Sequence, residues 1–377
     1  MKPVTYLLII CCGLLGSCYK PYTARIDSEK KILVVDGMIT NEMSSYRISL
    51  SYALQFYSDE TREPVNSARV YVTDDLDNYY PFNESGNGNY KSDSLKFTGQ
   101  PGRTYTLCIE TPDGEFYMSG PQKLNPVFCP DTVYAEVDYQ ETLSRFNQIL
   151  VIILGANILV DVSNQTDTLP HFRFTSNLVK HYIYIINIPP PPFDPPPYTF
   201  YCWQSDDANP DVNLASKEYS RNTSSLNRHA VYFTNDEIYV DGRIYDRGSQ
   251  EPDLSYMALA TPERQSYPII HRILYLNQYS LNNETYLYYK SMDEQLRSEG
   301  KIFDPIAVQL AGNINCTTTP GKMVFGFFEA SSVSRTSYMI GFRNPRNNQY
   351  SIKKIPYIQL SQLNGCWINK VPPFWIN

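Results

Sequence analysis

Leu15-Gly16-Ser17-Cys18 sets a thiol directly behind two small residues and an apolar run. A thiol there can be alkylated by a lipid, and the amine freed by cleavage before it can take a further acyl chain. The residues upstream suit that chemistry. Lys2 supplies positive charge, Val4 to Leu15 supply a short apolar core, and Gly16 and Ser17 fit a peptidase cleft. The core is too short to cross a bilayer as a helix, which needs roughly 20 residues. The pattern matches the bacterial lipobox, so residues 1–17 are expected to be a lipoprotein signal peptide and Cys18 the lipidation site. Cys11 and Cys12 lie inside the apolar core without small residues before them.

A second constellation carries hard oxygen ligands. Asp207, Asn209, Asp211 and Asn213 alternate, and Glu218 follows at the twelfth position of the loop, as calcium requires. The sixth position should be Gly for a sharp turn and is the β-branched Val212. A solvated Asn/Asp loop is therefore the favoured reading, with no metal and no cofactor expected. The four histidines, His171, His181, His229 and His271, show no metal-binding spacing and read as ordinary strand residues. No nucleophile elbow, phosphate-binding loop or dinucleotide fingerprint occurs. Two carboxylates suffice for glycoside hydrolysis, and among 39 acidic residues the sequence singles out no pair.

Beyond Cys18 stand Cys108, Cys129, Cys202, Cys316 and Cys366. No C-x-x-C spacing favours zinc or dithiol redox chemistry. An exported chain permits disulfides; Cys108 with Cys129 is one candidate, leaving the other three to supply one more pair. The net charge of −7, with no basic run, argues against nucleic acid. The 32 tyrosines suit half-exposed sheets and binding surfaces.

The elements that must position these residues are almost all strands. Residues 18–30 read as a polar, lipidated tether. Residues 31–122 carry short alternating runs, including a hairpin at Thr111-Pro112-Asp113-Gly114, and are expected to form an immunoglobulin/transthyretin-like β-sandwich. Residues 123–377 are expected to form a larger β-rich C-terminal domain with one helix at about 283–299. Tyr289, Met292 and Leu296 of that helix should face the core. QILVIILGANILVDV, residues 148–162, reads as two buried strands joined at Gly155-Ala156-Asn157. The proline-rich stretch 188–198 predicts a stiff projecting loop, with Phe193 and Tyr198 available to a partner. The fold class is mainly β.

Five segments together resemble the family catalogued as domain of unknown function 4249. They are the lipobox followed by KILVVDGMIT, then PVNSARVYV with PGRTYTLCIETPDGEFY, YTFYCWQSDD, ETYLYYKSMDEQLRSEGKIFDPIAV, and GCWINKVPPFW. The ending departs from the family pattern, in which two cysteines often stand close together; here only Cys366 remains. The resemblance implies a Bacteroidota outer-membrane lipoprotein, often encoded beside a TonB-dependent receptor, and it carries over no catalytic residues. The expectation is a non-enzymatic, membrane-anchored accessory protein binding that receptor or an extracellular small ligand, glycan or peptide. The alternatives are a glycosidase-like surface hydrolase and a structural or adhesive envelope protein.

Overall fold

The computed structural model describes residues 32–53, 62–143, 150–163, 170–186, 198–205, 212–215, 225–240, 243–246, 269–298, 310, 312–341, 346–347, 349–357 and 365–368. It is mainly β, with three sheets and one helix among the described residues. None of its described helices is long and apolar enough to cross a membrane.

The first sheet has eleven strands. Across its main path run Ile314–Cys316, Phe116–Ser119, Thr104–Glu110, Arg69–Asp74, Tyr79–Gly86, Asn89–Ser92, Arg47–Tyr52, Leu33–Ile39 and Val324–Ala330. Alternation writes the inner face: Leu33, Val35 and Ile39 are buried, as are Val70 and Val72. The two outermost strands of this path come close together. Asn313, just before one of them, accepts from Phe328 N at 2.9 Å and donates to Phe328 O at 2.8 Å on the other. The strands expected as a two-sheet sandwich therefore form one sheet, nearly closed into a barrel. Two of those strands come from beyond residue 300, across the expected boundary at 122/123. Strand Leu33–Ile39 pairs in parallel with Val324–Ala330, from Leu33 opposite Val324 to Ile39 opposite Ala330.

The expected hairpin is present. Gly114 takes φ +84°, and Thr111 N bonds Glu115 O at 2.9 Å, closing the turn between Thr104–Glu110 and Phe116–Ser119. Tyrosine, however, fills the barrel as well as paving its outside. Tyr90, Tyr105 and Tyr117 are fully buried. Each hydroxyl has a partner: Tyr90 donates to Val65 O at 2.8 Å, Tyr105 accepts from Gln100 N at 2.7 Å, and Tyr117 donates to Glu115 at 2.5 Å. A large ring with a satisfied polar tip fills a wide barrel without an orphaned group.

The other two sheets pack face to face. The second contains Thr132–Leu143, Leu150–Ser163, Ser225–Val240 and Arg243–Asp246. The third runs Ile352–Ile355, Ser332–Ile340, Ile269–Leu281, His171–Ile186, Tyr198–Ser205 and Gly365–Ile368, with Asn213–Ala215 beside His171–Ile186. Ile158, Val160, Leu226 and Val231 of the second sheet share a core with Phe172, Phe174, Leu274 and Tyr338 of the third. Ser176 Oγ donates across to Val231 O at 2.8 Å. Leu150–Ser163 is one continuous strand, which corrects the reading of two strands turning at Gly155. Gly155 sits at a bulge against Ser225–Val240, where an added Cβ would lie 1.7 Å from Thr234 O. It serves a close backbone approach instead of a turn.

The helix spans Asn283–Ser298, as the sequence predicts. Asn282 caps it, accepting from Thr285 N at 2.8 Å. Gln122, fully buried, accepts from Asn282 Nδ2 at 2.8 Å and Thr285 Oγ1 at 3.1 Å, which ties the helix start to the first sheet. Tyr286 is buried and stacks on His171 with centroids 4.0 Å apart. Tyr289 and Met292 are half-buried, whereas Leu296 is 52 % exposed, so the inward stripe ends before the last turn.

Candidate functional site: a cleft around Arg173 and Glu329

Where the helix, the first sheet and the third sheet meet lies a cleft of about 630 Å³. Its walls are placed by alternation and helical spacing. Asp36 and Met38 come from Leu33–Ile39, Phe327 and Glu329 from Val324–Ala330, and Tyr288, Tyr289 and Met292 from the helix. Arg173 reaches in from His171–Ile186. Its neighbours Phe172 and Phe174 face the opposite way into the two-sheet core, so the pleat alone delivers the guanidinium here. The segment 40–47 forms a lip held to the third sheet: Val333 N donates to Asn41 Oδ1 at 2.6 Å, and Arg335 Nε contacts both Glu42 oxygens at 2.7 and 2.8 Å.

A buried ion pair organises the interior. Arg173 Nη2 lies 3.2 and 3.3 Å from the two Glu329 oxygens, and Tyr289 donates its hydroxyl to Glu329 Oε2 at 2.7 Å. Glu329 is 3 % exposed. The guanidinium is sandwiched by two rings, with Cζ 4.2 Å from the Tyr279 centroid and 4.5 Å from that of Tyr289. Burial works against the Arg173 charge, but Glu329 and the tyrosines outweigh it, and its pKa ends above the ordinary value. Burial first, then the Glu329 charge, pushes the Tyr289 phenol far up, so it remains a donor at any physiological pH. Arg173 Nε is buried with no hydrogen-bond partner among the described residues. Tyr288 stacks on Phe327 at 4.4 Å and gives the cleft an aromatic wall.

The arrangement can bind. It offers an aromatic face, a fixed cation and phenolic hydroxyls beside a charged lip. Of the three carboxylates lining it, Asp36 is exposed, Glu42 is engaged by Arg335, and Glu329 is engaged by Arg173 and Tyr289.

The residues that make this cleft and its supports lie within a longer match: residues 19–337 fit the family described as domain of unknown function (DUF4249). The chain belongs to that family. No curated protein and no solved structure gives a significant match to this DUF4249 chain.

Of the sequence-predicted residues, Tyr289 and Met292 of the helix line the cleft, whereas none of the described candidate site residues of the DUF4249 sequence does. Cys18, Phe193 and the loop positions Asp207, Asn209, Asp211 and Glu218 fall outside the described residues. Tyr198 opens strand Tyr198–Ser205, opposite Ile186. Asn213 lies on a strand with its amide engaged: Nδ2 donates to Ala230 O at 2.8 Å, and Oδ1 is 2.6 Å from His229 Nε2. No metal-holding group of His, Cys, Asp or Glu occurs among the described residues. Cys108 and Cys129 are free thiols, which corrects their suggested pairing. Cys108 is buried in the first sheet between Tyr71 and Met118 in register, whereas Cys129 accepts a bond from Ser334 of the third sheet at 3.1 Å. Arg173 and Glu329 are not among the sequence-predicted site residues, and Tyr289 is read from its helical spacing only as a core residue. The available signals were single charges inside apolar strands, in HFRFT and VFGFFEA.

His229 gives a pH-dependent expectation. Its ring lies 5.1 Å from that of Phe174, and burial lowers its pKa to about 4. The folded chain keeps the neutral form, while the unfolded chain takes a proton near pH 6.5. Stability is thus complete above pH 6.5 and falls as pH drops toward 4, by roughly 3 kcal/mol. Denaturation midpoints across that window should fall less steeply for His229→Gln; an identical slope would remove this assignment.

Proposed function

We propose that this protein is a non-enzymatic cell-envelope lipoprotein, anchored through Cys18, that holds an extracellular ligand in the cleft and works beside an outer-membrane TonB-dependent receptor. The single observation that supports the binding role is the cleft itself. Its volume falls in the range of about 300–1,000 Å³ common for ligand sites, and its wall sets the Arg173 guanidinium near an aromatic face. An aromatic wall with a few fixed polar groups suits a glycan or a peptide. The carboxylates favour binding over hydrolysis, because the one that is buried already carries two donors. Anchor and receptor partnership rest on the lipobox and on the family resemblance.

The test has two arms. The tagged full chain is purified in mild detergent from its native membrane, and a receptor barrel is expected to co-elute in near-stoichiometric yield. The same material is applied to glycan and peptide arrays beside Tyr288→Ala, which opens the aromatic wall at a half-buried position. A retained ligand class weakened at least about tenfold in the variant, equal to about 1.4 kcal/mol, is the expected result. Equal retention by both proteins would place binding elsewhere, and a solitary protein would end the receptor assignment.

A further inference from the structure

We propose that Cys202 and Cys366 form a disulfide that locks the outermost strand of the third sheet. Strands Tyr198–Ser205 and Gly365–Ile368 pair antiparallel, and the register makes Cys202 and Cys366 direct partners, with Tyr201 opposite Trp367 and Trp203 opposite Gly365. Directly opposed residues of an antiparallel pair share one face of the sheet. Their Cα atoms stand about 4.5 or 5.5 Å apart, depending on which kind of pair they form. Both spacings fall inside the roughly 4.4–6.8 Å that a disulfide spans. A slip of one residue would put the two cysteines on opposite faces, so the coincidence is specific to this register.

The other thiols among the described residues are accounted for elsewhere. Cys108 and Cys316 are buried and free, and Cys129 is exposed and free. Burial pushes the Cys108 thiol up, which makes it a poor nucleophile for exchange. Cys316 Sγ lies 3.3 Å from Thr318 Oγ1 on its own turn.

The reaction balances with a disulfide oxidant such as oxidised glutathione or an oxidised dithiol protein. One thiolate attacks the oxidant's disulfide and releases a thiol; the second thiolate attacks the mixed disulfide, forms the Cys202–Cys366 bond and releases the other. Two protons leave with the two electrons taken up by the oxidant. Strand Gly365–Ile368 is only four residues long and pairs on one side alone among the described residues. A covalent tie is what keeps so short a strand from fraying, and the large loop that it closes makes it effective.

The full chain, equilibrated with a mixture of reduced and oxidised glutathione, is acid-quenched, unfolded, alkylated and digested without reductant. Mass spectrometry should find the peptides carrying Cys202 and Cys366 joined, lighter by two hydrogens than their sum, with Cys108, Cys129 and Cys316 alkylated. In Cys202→Ser, Cys366 should become alkylated. Both cysteines alkylated in the oxidised wild-type chain, or either joined to one of the other three, would overturn the proposal. Should the serine variant fold poorly, the wild-type peptide map decides alone.

Discussion

Glu329→Leu is expected to destabilise the fold by about 3–5 kcal/mol, because it leaves the Arg173 guanidinium buried with no counter-charge. The pair is shielded: Glu329 is 3 % exposed, and the Arg173 side chain is enclosed by Tyr279 and Tyr289. Removing one partner forces Arg173 either to stay charged in a dry site or to tear itself from both rings. Removing both is different. Arg173→Met with Glu329→Leu substitutes apolar groups of similar bulk and should recover most of the loss. Tyr289→Phe deletes one donor to Glu329 and should cost about 1 kcal/mol. Urea unfolding of the three variants measures all of this. A double variant no better than the single one would show that the pair's charges are not what stabilises the site.

Gly326→Ala should be the most damaging substitution of a single methyl, on the order of 4 kcal/mol or more. Gly326 has φ +95°, and a Cβ there would sit 1.7 Å from Val35 O on the strand it pairs with in parallel. Gly312 approaches the same place, where its own Cβ would lie 1.9 Å from Gly326 O. Three backbone segments meet with no room for a side chain, and the barrel seam closes on that contact. Gly321→Ala separates strain from clash. Its φ is +83° with nothing within 4 Å of an added Cβ, so it should cost only about 1–2 kcal/mol. Equal midpoints for the two variants would mean that the seam tolerates a Cβ.

Local chemistry wrote the parts that could be read in advance. Pro112-Asp113-Gly114 encodes its own turn, the helical spacing of Tyr289 and Met292 encodes the helix and its inward face, and β-branched alternation encodes the strands. The misreadings share a cause. Gly155 serves equally well as a turn residue or as room for another backbone, and only the position of Thr234 O decides which. Cys108 and Cys129 lie near each other in sequence but bond into different sheets. The cleft itself was hidden for the same reason. Arg173 and Glu329 are 156 residues apart, and nothing within either strand announces the other.

The parallel seam also sets a timetable. Strand Leu33–Ile39 is synthesised almost 300 residues before its partner Val324–Ala330. At about 5–20 residues per second the wait is many seconds, far longer than the microseconds in which a hairpin forms. Until then one flank of an apolar strand carries unpaired amides and carbonyls, which is a template for pairing with any other extended chain. Pairings of such high contact order also form slowly once the whole chain is present. The nascent protein therefore has a long interval in which that edge is open, and aggregation during production should originate at residues 33–39.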